Sequence, residues 1–455
     1  MLDFRVASAK TGLMRIDVLG AALAVAGLLA SATGYGAGGA ATPPPNILLV
    51  IADDFGIDTS PCYDTGTEKP TMPTLERLCQ TGLVFERFWT APECSPTRAA
   101  ILTGRYGFRT GVGAALQRSE AGLSTDELSL QTLLAQQVGT RYATAVIGKW
   151  HLATDANGWA DHPARMGVPF YTGLLSGTAE NYSRWQRTDN GVTAPSTTYI
   201  TTQITNDAIG WLGRQQAPWF LWLAYTAPHA PIHLPPSNLH SRHDLPGTAA
   251  DIESRPLPYH FAMAEALDHE LGRLLDSLDA ATRARTVVIF MGDNGTASAV
   301  TQPASDRARA KGTLYEGGVH TPLIVSGAAV ARAGQREGAL VGAVDLFPTI
   351  AQLAGEARDV WQDGRSFSAL LSDAGAPTRS DIYTEYFGSN RTAAEGWTIR
   401  DQRYKLIVFT SGARRLYDLA QDPAEQRDLS TSSDAAAVDA FGRLLRRGEE
   451  IRSTR

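Results

Sequence analysis

Ile47-Leu48-Leu49-Val50-Ile51-Ala52-Asp53-Asp54 is the stretch that decides the fold: six apolar residues without a break, then two carboxylates. A strand with one wet face alternates apolar and polar residues. An unbroken run of this length is a strand covered on both faces, as in parallel sheets. Thr144–Gly148, Trp219–Ala224, Thr286–Met291 and Pro322–Ser326 repeat the pattern. Helical segments lie between the runs. Thr71–Gln80 opens with Thr71 and Pro73 and is followed by Gly82, and Leu128–Val138 is amphipathic. In Tyr259–Leu278 the residues Tyr259, Met263, Leu267, Leu271, Leu274 and Leu278 recur at three- and four-residue spacing. The alternation predicts an α/β fold, a large mixed, mostly parallel sheet sandwiched by helices. After about Ala376 the pattern changes. Trp397–Arg400 and Tyr404–Phe409 flank a turn at Asp401-Gln402, and a helix over Asp434–Ile451 carries Val438, Phe441, Leu445 and Ile451 on one side. This predicts a smaller C-terminal α+β unit built on an antiparallel sheet. The expected boundaries are 46–376 for the α/β domain and 377–455 for the C-terminal subdomain.

The N-terminus has its own logic. Arg5, Lys10 and Arg15 precede an uncharged run from Val18 to Ala30, and Ala30-Ser31-Ala32 offers an A-x-A cleavage pattern. Residues 1–32 are expected to be a signal peptide, too short in its apolar part for the roughly 20 residues of a spanning helix. Met14 is a second possible start. Residues 33–45, rich in Gly, Ala and Pro, are expected to be a flexible linker. The mature protein is then periplasmic or secreted, with no stable membrane span. Losing Arg5, Lys10, Arg15, Asp3 and Asp17 moves the net charge from −6 to −7, which does not suggest a nucleic-acid partner. A locally basic pocket for an anionic substrate stays compatible with it. There are three cysteines, Cys62, Cys79 and Cys94. Cys79 falls on the apolar side of its helix, so Cys62 and Cys79 are expected to be buried free thiols, with pairing as the alternative.

Polar clusters recur just past the strands: Asp53-Asp54, Lys149 with His151, His229, and Asp293-Asn294. In open α/β sheets ligands bind outside the carboxyl ends of the strands. Each cluster alone has a plain reading as a turn or cap, but together they describe a site. Asp53, Asp54, Asp293 and Asn294 offer only oxygen donors, which suits Ca2+, with Mg2+ second, and not zinc. Cys94-Ser95-Pro96-Thr97-Arg98 continues to Leu102-Thr103-Gly104-Arg105. Pro96 sits near a helix start, which places Cys94 at the helix N-terminus, where free N–H groups favour negative charge.

Cys94-x-Pro96-x-Arg98 with Leu102-Thr103-Gly104-Arg105 resembles the signature of the type I sulfatases. Further matches follow in order: Asp53-Asp54-x-Gly56, Gly148-Lys149-Trp150-His151-Leu152, Pro228-His229-x-Pro231, Gly292-Asp293-Asn294-Gly295 and Lys311-Gly312-x-x-x-Glu316-Gly317-Gly318. Asp345-Leu346-Phe347-Pro348-Thr349, Asp363-Gly364-Arg365-Ser366 and Leu416-Tyr417-Asp418-Leu419 extend the match into the second half. His320 and Ala153 depart from the family's usual Arg and Gly. The resemblance implies a sulfuric ester hydrolase acting on aryl sulfates or sulfated glycans. In such an enzyme Cys94 is oxidised to formylglycine (3-oxoalanine) by a formylglycine-generating enzyme. The hydrated aldehyde is the nucleophile and a metal ligand, and it passes through a covalent sulfo-enzyme intermediate. Arg98 holds the diol and the metal carboxylates, Lys149 and Lys311 bind sulfate, His229 is the acid at the leaving oxygen, and His151 is the base. The alternative is a phosphatase or phosphonate monoester hydrolase on the related scaffold, for which the sequence offers few histidine ligands. Substrate choice is assigned to the loops over Thr154–Thr198 and Pro235–Pro258. Their aromatics, Trp159, Phe170, Tyr171, Tyr182 and Trp185, are expected to be loop core more than a stacking platform.

Overall fold

The computed structural model describes residues 44–136, 142–302, 306–388 and 392–454. The expected signal peptide, and the expected linker as far as residue 43, lie outside the described residues. Strand β1 (Asn46–Ala52) is wholly buried. Its side chains alternate between two cores: Leu48, Val50 and Ala52 pack on one side of the sheet, and Ile47, Leu49 and Ile51 on the other. That is the physical content of the unbroken run, since both faces of the pleat are dry.

Nine more strands complete the main sheet: β2 (Gly82–Trp89), β3 (Ala143–Gly148), β4 (Tyr171–Gly173), β5 (Trp185–Asp189), β6 (Val192–Ser196), β7 (Trp219–Ala224), β8 (Thr286–Gly292), β9 (Leu323–Gly327) and β10 (Gln335–Gly342). Their order is β10-β2-β9-β8-β1-β7-β3-β4-β5-β6. The centre, β8-β1-β7-β3-β4, is parallel throughout. Antiparallel pairings enter at β9 and beyond β4. A second sheet of four antiparallel strands runs Ile382–Tyr386, Gly396–Arg400, Tyr404–Phe409 and Arg414–Asp418. The fold class is as expected.

Three local expectations are corrected. The helix expected from Thr71 runs Pro73–Thr81, and its N-cap residue Met72 makes no side-chain cap bond. Its free N–H groups are capped from elsewhere: Thr74 and Leu75 donate to the Asp268 carboxylate at 2.9 and 2.7 Å. Cys62 and Cys79 are not free thiols. They form a disulfide with a Cα–Cα distance of 6.3 Å, because the helix turns Cys79 toward the loop that carries Cys62. The last helix, Ala435–Ser453, is capped by Asp434 but buries Ala437, Ala440, Leu444, Gly448 and Ile451, leaving Val438 exposed. Small residues win that face because the helix lies close on the sheet. A Cβ at Gly448 would stand 2.2 Å from the Trp397 ring.

Candidate active site

The strand order brings the four polar clusters side by side. β8, β1, β7 and β3 are consecutive neighbours, and Asp293, Asp53-Asp54, His229 and Lys149-Trp150-His151 follow their carboxyl ends. Sharp turns let the chain face the site. Gly148 has φ 110°, and a Cβ there would meet Ala224 O at 1.9 Å. Asp54 (φ 62°) and His151 (φ 55°) adopt left-handed backbone without being glycine, a strain that folds tolerate mostly where function requires it.

The buried helix Cys94–Thr103 supplies the centre and places Cys94 at its first residue. The Cys94 thiol donates to Asp53 Oδ1 at 3.3 Å. Lys149 Nζ lies 3.4 Å and Lys311 Nζ 3.8 Å from its sulfur. Burial, reinforced by the Asp53 carboxylate, pushes the thiol far above its ordinary range. As cysteine, the residue is therefore a neutral and poor nucleophile.

Three ion pairs, two of them fully buried, organise the charges. Arg98 donates to Asp293 Oδ2 from Nε at 3.1 Å and Nη2 at 2.7 Å, and from Nη1 to Lys149 O at 2.7 Å. Lys149 Nζ sits 2.5 Å from Asp53 Oδ2, both side chains being fully buried. Lys311 Nζ lies 2.5 Å from Asp54 Oδ1. Burial is the largest influence and opposes ionisation of Asp53 and Asp54, but the neighbouring cations together, led by Lys149 for Asp53 and Lys311 for Asp54, outweigh it and hold both carboxyls below the usual range. Buried pairs add little net stability, whereas removing one partner costs about 3–5 kcal/mol. Their retention here points to chemistry.

The residues present fit a hard cation. Asp53, Asp54, Cys94 and His229 bring ligand atoms within 4.8 Å of one another. Asp293 Oδ1 accepts from Asp54 N at 3.2 Å, and Asn294 Nδ2 donates to Asp54 Oδ1 at 2.8 Å. Asn294 Oδ1 is buried without a hydrogen-bond partner, the condition of an oxygen reserved for a ligand. Asp53, Asp54, Asp293 and Asn294 make an oxygen-donor set, unlike the histidine-rich zinc sites of the alternative reading.

The histidines are held by different means. His229 Nδ1–H donates to Ala230 O at 2.7 Å, and its Nε2 faces Asp54 Oδ2 at 3.8 Å. His151 Nε2–H donates to Leu116 O at 3.3 Å, leaving Nδ1 buried and unpartnered. Burial, with Lys149 and Arg98 nearby, keeps the His151 ring well below the ordinary histidine value and so neutral. Every site residue expected from sequence gathers at this end of the sheet. The closeness of His229 to the carboxylates goes beyond the sequence reading, which left it out of the metal set.

Other contributors were not legible. Tyr182 donates its hydroxyl to Thr226 O at 2.9 Å and His229 O at 2.7 Å, fixing the His229 loop. Tyr171, Tyr182 and Trp185 are buried, and Trp159 and Phe170 half-buried, so these aromatics serve the loop core. His320 pairs with Glu316 at 3.0 Å instead of facing the cluster.

Comparison with known proteins agrees with this geometry. The Sulfatase family model matches residues 45–356, and the C-terminal model of N-sulphoglucosamine sulphohydrolase matches 308–448. The chain is 29% identical to arylsulfatase A of Homo sapiens over 86% of this chain and 85% of that protein. It is 33% identical to N-acetylgalactosamine-6-sulfatase of Sus scrofa over 72% of this chain and 65% of that protein. The crystal structure of Ps i-CgsB in complex with k-i-k-neocarrahexaose superposes with a TM-score of 0.76 at 26% identity, covering 90% of this chain and 92% of that one. With carboxylates and a lysine at the ends of adjacent parallel strands, gathered around a buried cysteine at a helix N-terminus, the chain belongs to the sulfatase family and is a sulfuric ester hydrolase.

Proposed function

We propose that Cys94 is converted to formylglycine and that the enzyme cleaves sulfate monoesters, aryl or glycan, through that residue. The observation that carries this is the setting of Cys94: a buried, neutral thiol at a helix N-terminus, ringed by Asp53, Lys149 and Lys311. A thiol gains no reactivity there. A hydrated aldehyde supplies one oxygen to attack sulfur and a second whose deprotonation expels the sulfate.

Asp53, Asp54, Asp293, Asn294 and residue 94 are the proposed ligands of Ca2+, with Mg2+ second. Bound there, the cation screens the sulfate oxygens and favours ionisation of residue 94. Lys149 and Lys311, already beside residue 94, hold the sulfate and stabilise charge as the ester bond breaks. Arg98 locks Asp293 and the Lys149 backbone in place. His229 keeps Nδ1–H on Ala230 O, so Nε2 is the atom that delivers a proton to the leaving alcohol. His151 keeps Nε2–H on Leu116 O, so Nδ1 is the lone pair that accepts one.

Export by the signal peptide 1–32 to the periplasm or exterior, maturation by a formylglycine-generating enzyme, and the division at 376/377 belong to the same reading. Among the described residues no helix is long and apolar enough to cross a membrane. N-terminal sequencing of exported protein should begin just after Ala32. Mass spectrometry of the peptide holding Cys94, from protein co-expressed with the maturation enzyme, should show the aldehyde. An unmodified thiol in fully active protein refutes the proposal.

A further inference from the structure

Glu93 stands beside Cys94 at the N-cap of the buried helix, yet its side chain makes no cap bond. It reaches sideways instead. Oε2 accepts from Ala115 N at 2.5 Å, and Oε1 accepts from the Tyr386 hydroxyl at 3.4 Å. A Cβ on Gly312 would stand 3.7 Å from Oε1, so the carboxylate overlies the backbone next to Lys311. Glu93, Gly312, Ala115 and Tyr386 are all half-buried, not sealed. Lys311 itself is committed to Asp54. Among the described residues neither Glu93 oxygen has a basic partner, and both accept only from neutral donors.

A negative charge without a basic partner among the described residues, carried by the residue next in sequence to Cys94 and lying over the backbone beside Lys311, makes an anion harder to bind there. Anchoring the Ala115 backbone does not require that charge, because a glutamine carbonyl oxygen accepts the same N–H. We propose that Glu93 determines substrate choice by charge. It favours sulfate esters whose leaving group carries an ammonium group beside the ester, and disfavours those with a second anionic group there. This rests on the reading of residue 94 as the reaction centre.

The test uses three chromogenic aryl sulfates with ortho aminomethyl, hydroxymethyl or carboxylate substituents, assayed with matured wild type and Glu93→Gln. The ratio of kcat/KM, variant over wild type, cancels the intrinsic reactivity of each ester. Taken relative to the hydroxymethyl ester, which reports the charge effect common to every sulfate, the ratio should be roughly three- to tenfold higher for the carboxylate ester and lower by a similar factor for the ammonium ester. The change should lie in KM more than in kcat. Glu93→Ala, which also frees the Ala115 backbone, should lower kcat for all three, and the glutamine variant should restore it. Equal ratios across the three esters overturn the assignment and reduce Glu93 to a scaffold. Wild-type turnover of the hydroxymethyl ester tests the reaction centre separately, so the two failures cannot be confused.

Discussion

His162 should make the support of the site sensitive to acid. The side chain is fully buried. Its Nδ1 accepts the Trp150 indole N–H at 2.9 Å, and its Nε2–H donates to Leu123 O at 3.0 Å. Trp150 lies between Lys149 and His151, so this ring is a strut beneath both. An indole can only donate. Protonating Nδ1 therefore sets N–H against N–H and breaks the strut. Burial lowers the ring from 6.5 to about 4, against the pull of the Leu123 carbonyl. Between those values the unfolded chain holds the proton and the folded chain does not, so stability falls as pH falls. The contribution is intact above 6.5 and fully lost below about 4. At about 1.4 kcal/mol per pH unit the loss is roughly 3 kcal/mol. His162→Gln offers the indole an amide oxygen and Leu123 an amide N–H without titrating. Urea unfolding of both proteins at pH 7 and pH 4 isolates the effect, since all other titrating groups are common to the pair. Wild type should lose roughly 3 kcal/mol more than the variant on acidification. Equal losses would refute the argument that this ring is held neutral by its partners.

Three further outcomes are expected. Cys94→Ser, in cells that do not oxidise serine, should show a single-turnover burst and then stall, since no second oxygen expels the sulfate, while Cys94→Ala should be silent; sustained turnover by either variant sinks the mechanism. Asp54→Ala should abolish both turnover and calcium retention, measured by elemental analysis after dialysis, with far-UV circular dichroism little changed; activity that survives both the substitution and chelation shows the site to be misassigned. Gly448→Ala should cost about 1–3 kcal/mol by overpacking against Trp397, 2.2 Å from the new Cβ, and a neutral effect on the melting temperature would show that the last helix does not lie tightly on the sheet.

The central strands were legible because burial on both faces leaves no room for polar residues. β1, β3, β7 and β8 each announce themselves as apolar runs. β2 and β10 did not. Glu86 and Arg87 interrupt the first, and the second opens on the sheet edge with Gln335 and Arg336 exposed to water and Glu337 paired with Arg332. The Asp268 cap, the Cys62–Cys79 disulfide and the Tyr182 grip on the His229 loop escaped for a different reason. Each joins segments distant in sequence, and neither propensity nor periodicity carries that information. The candidate site escaped that limit because parallel topology does the gathering. Neighbouring strands end together, so residues that follow a strand by one to five positions meet without any long-range pairing to infer. What topology cannot encode is how their charges are partnered. Arg98 answers Asp293, Lys149 answers Asp53 and Lys311 answers Asp54, whereas among the described residues Glu93 faces only neutral donors. That asymmetry is invisible in the motif, and it is the feature from which the proposed part of Glu93 in ester choice arises.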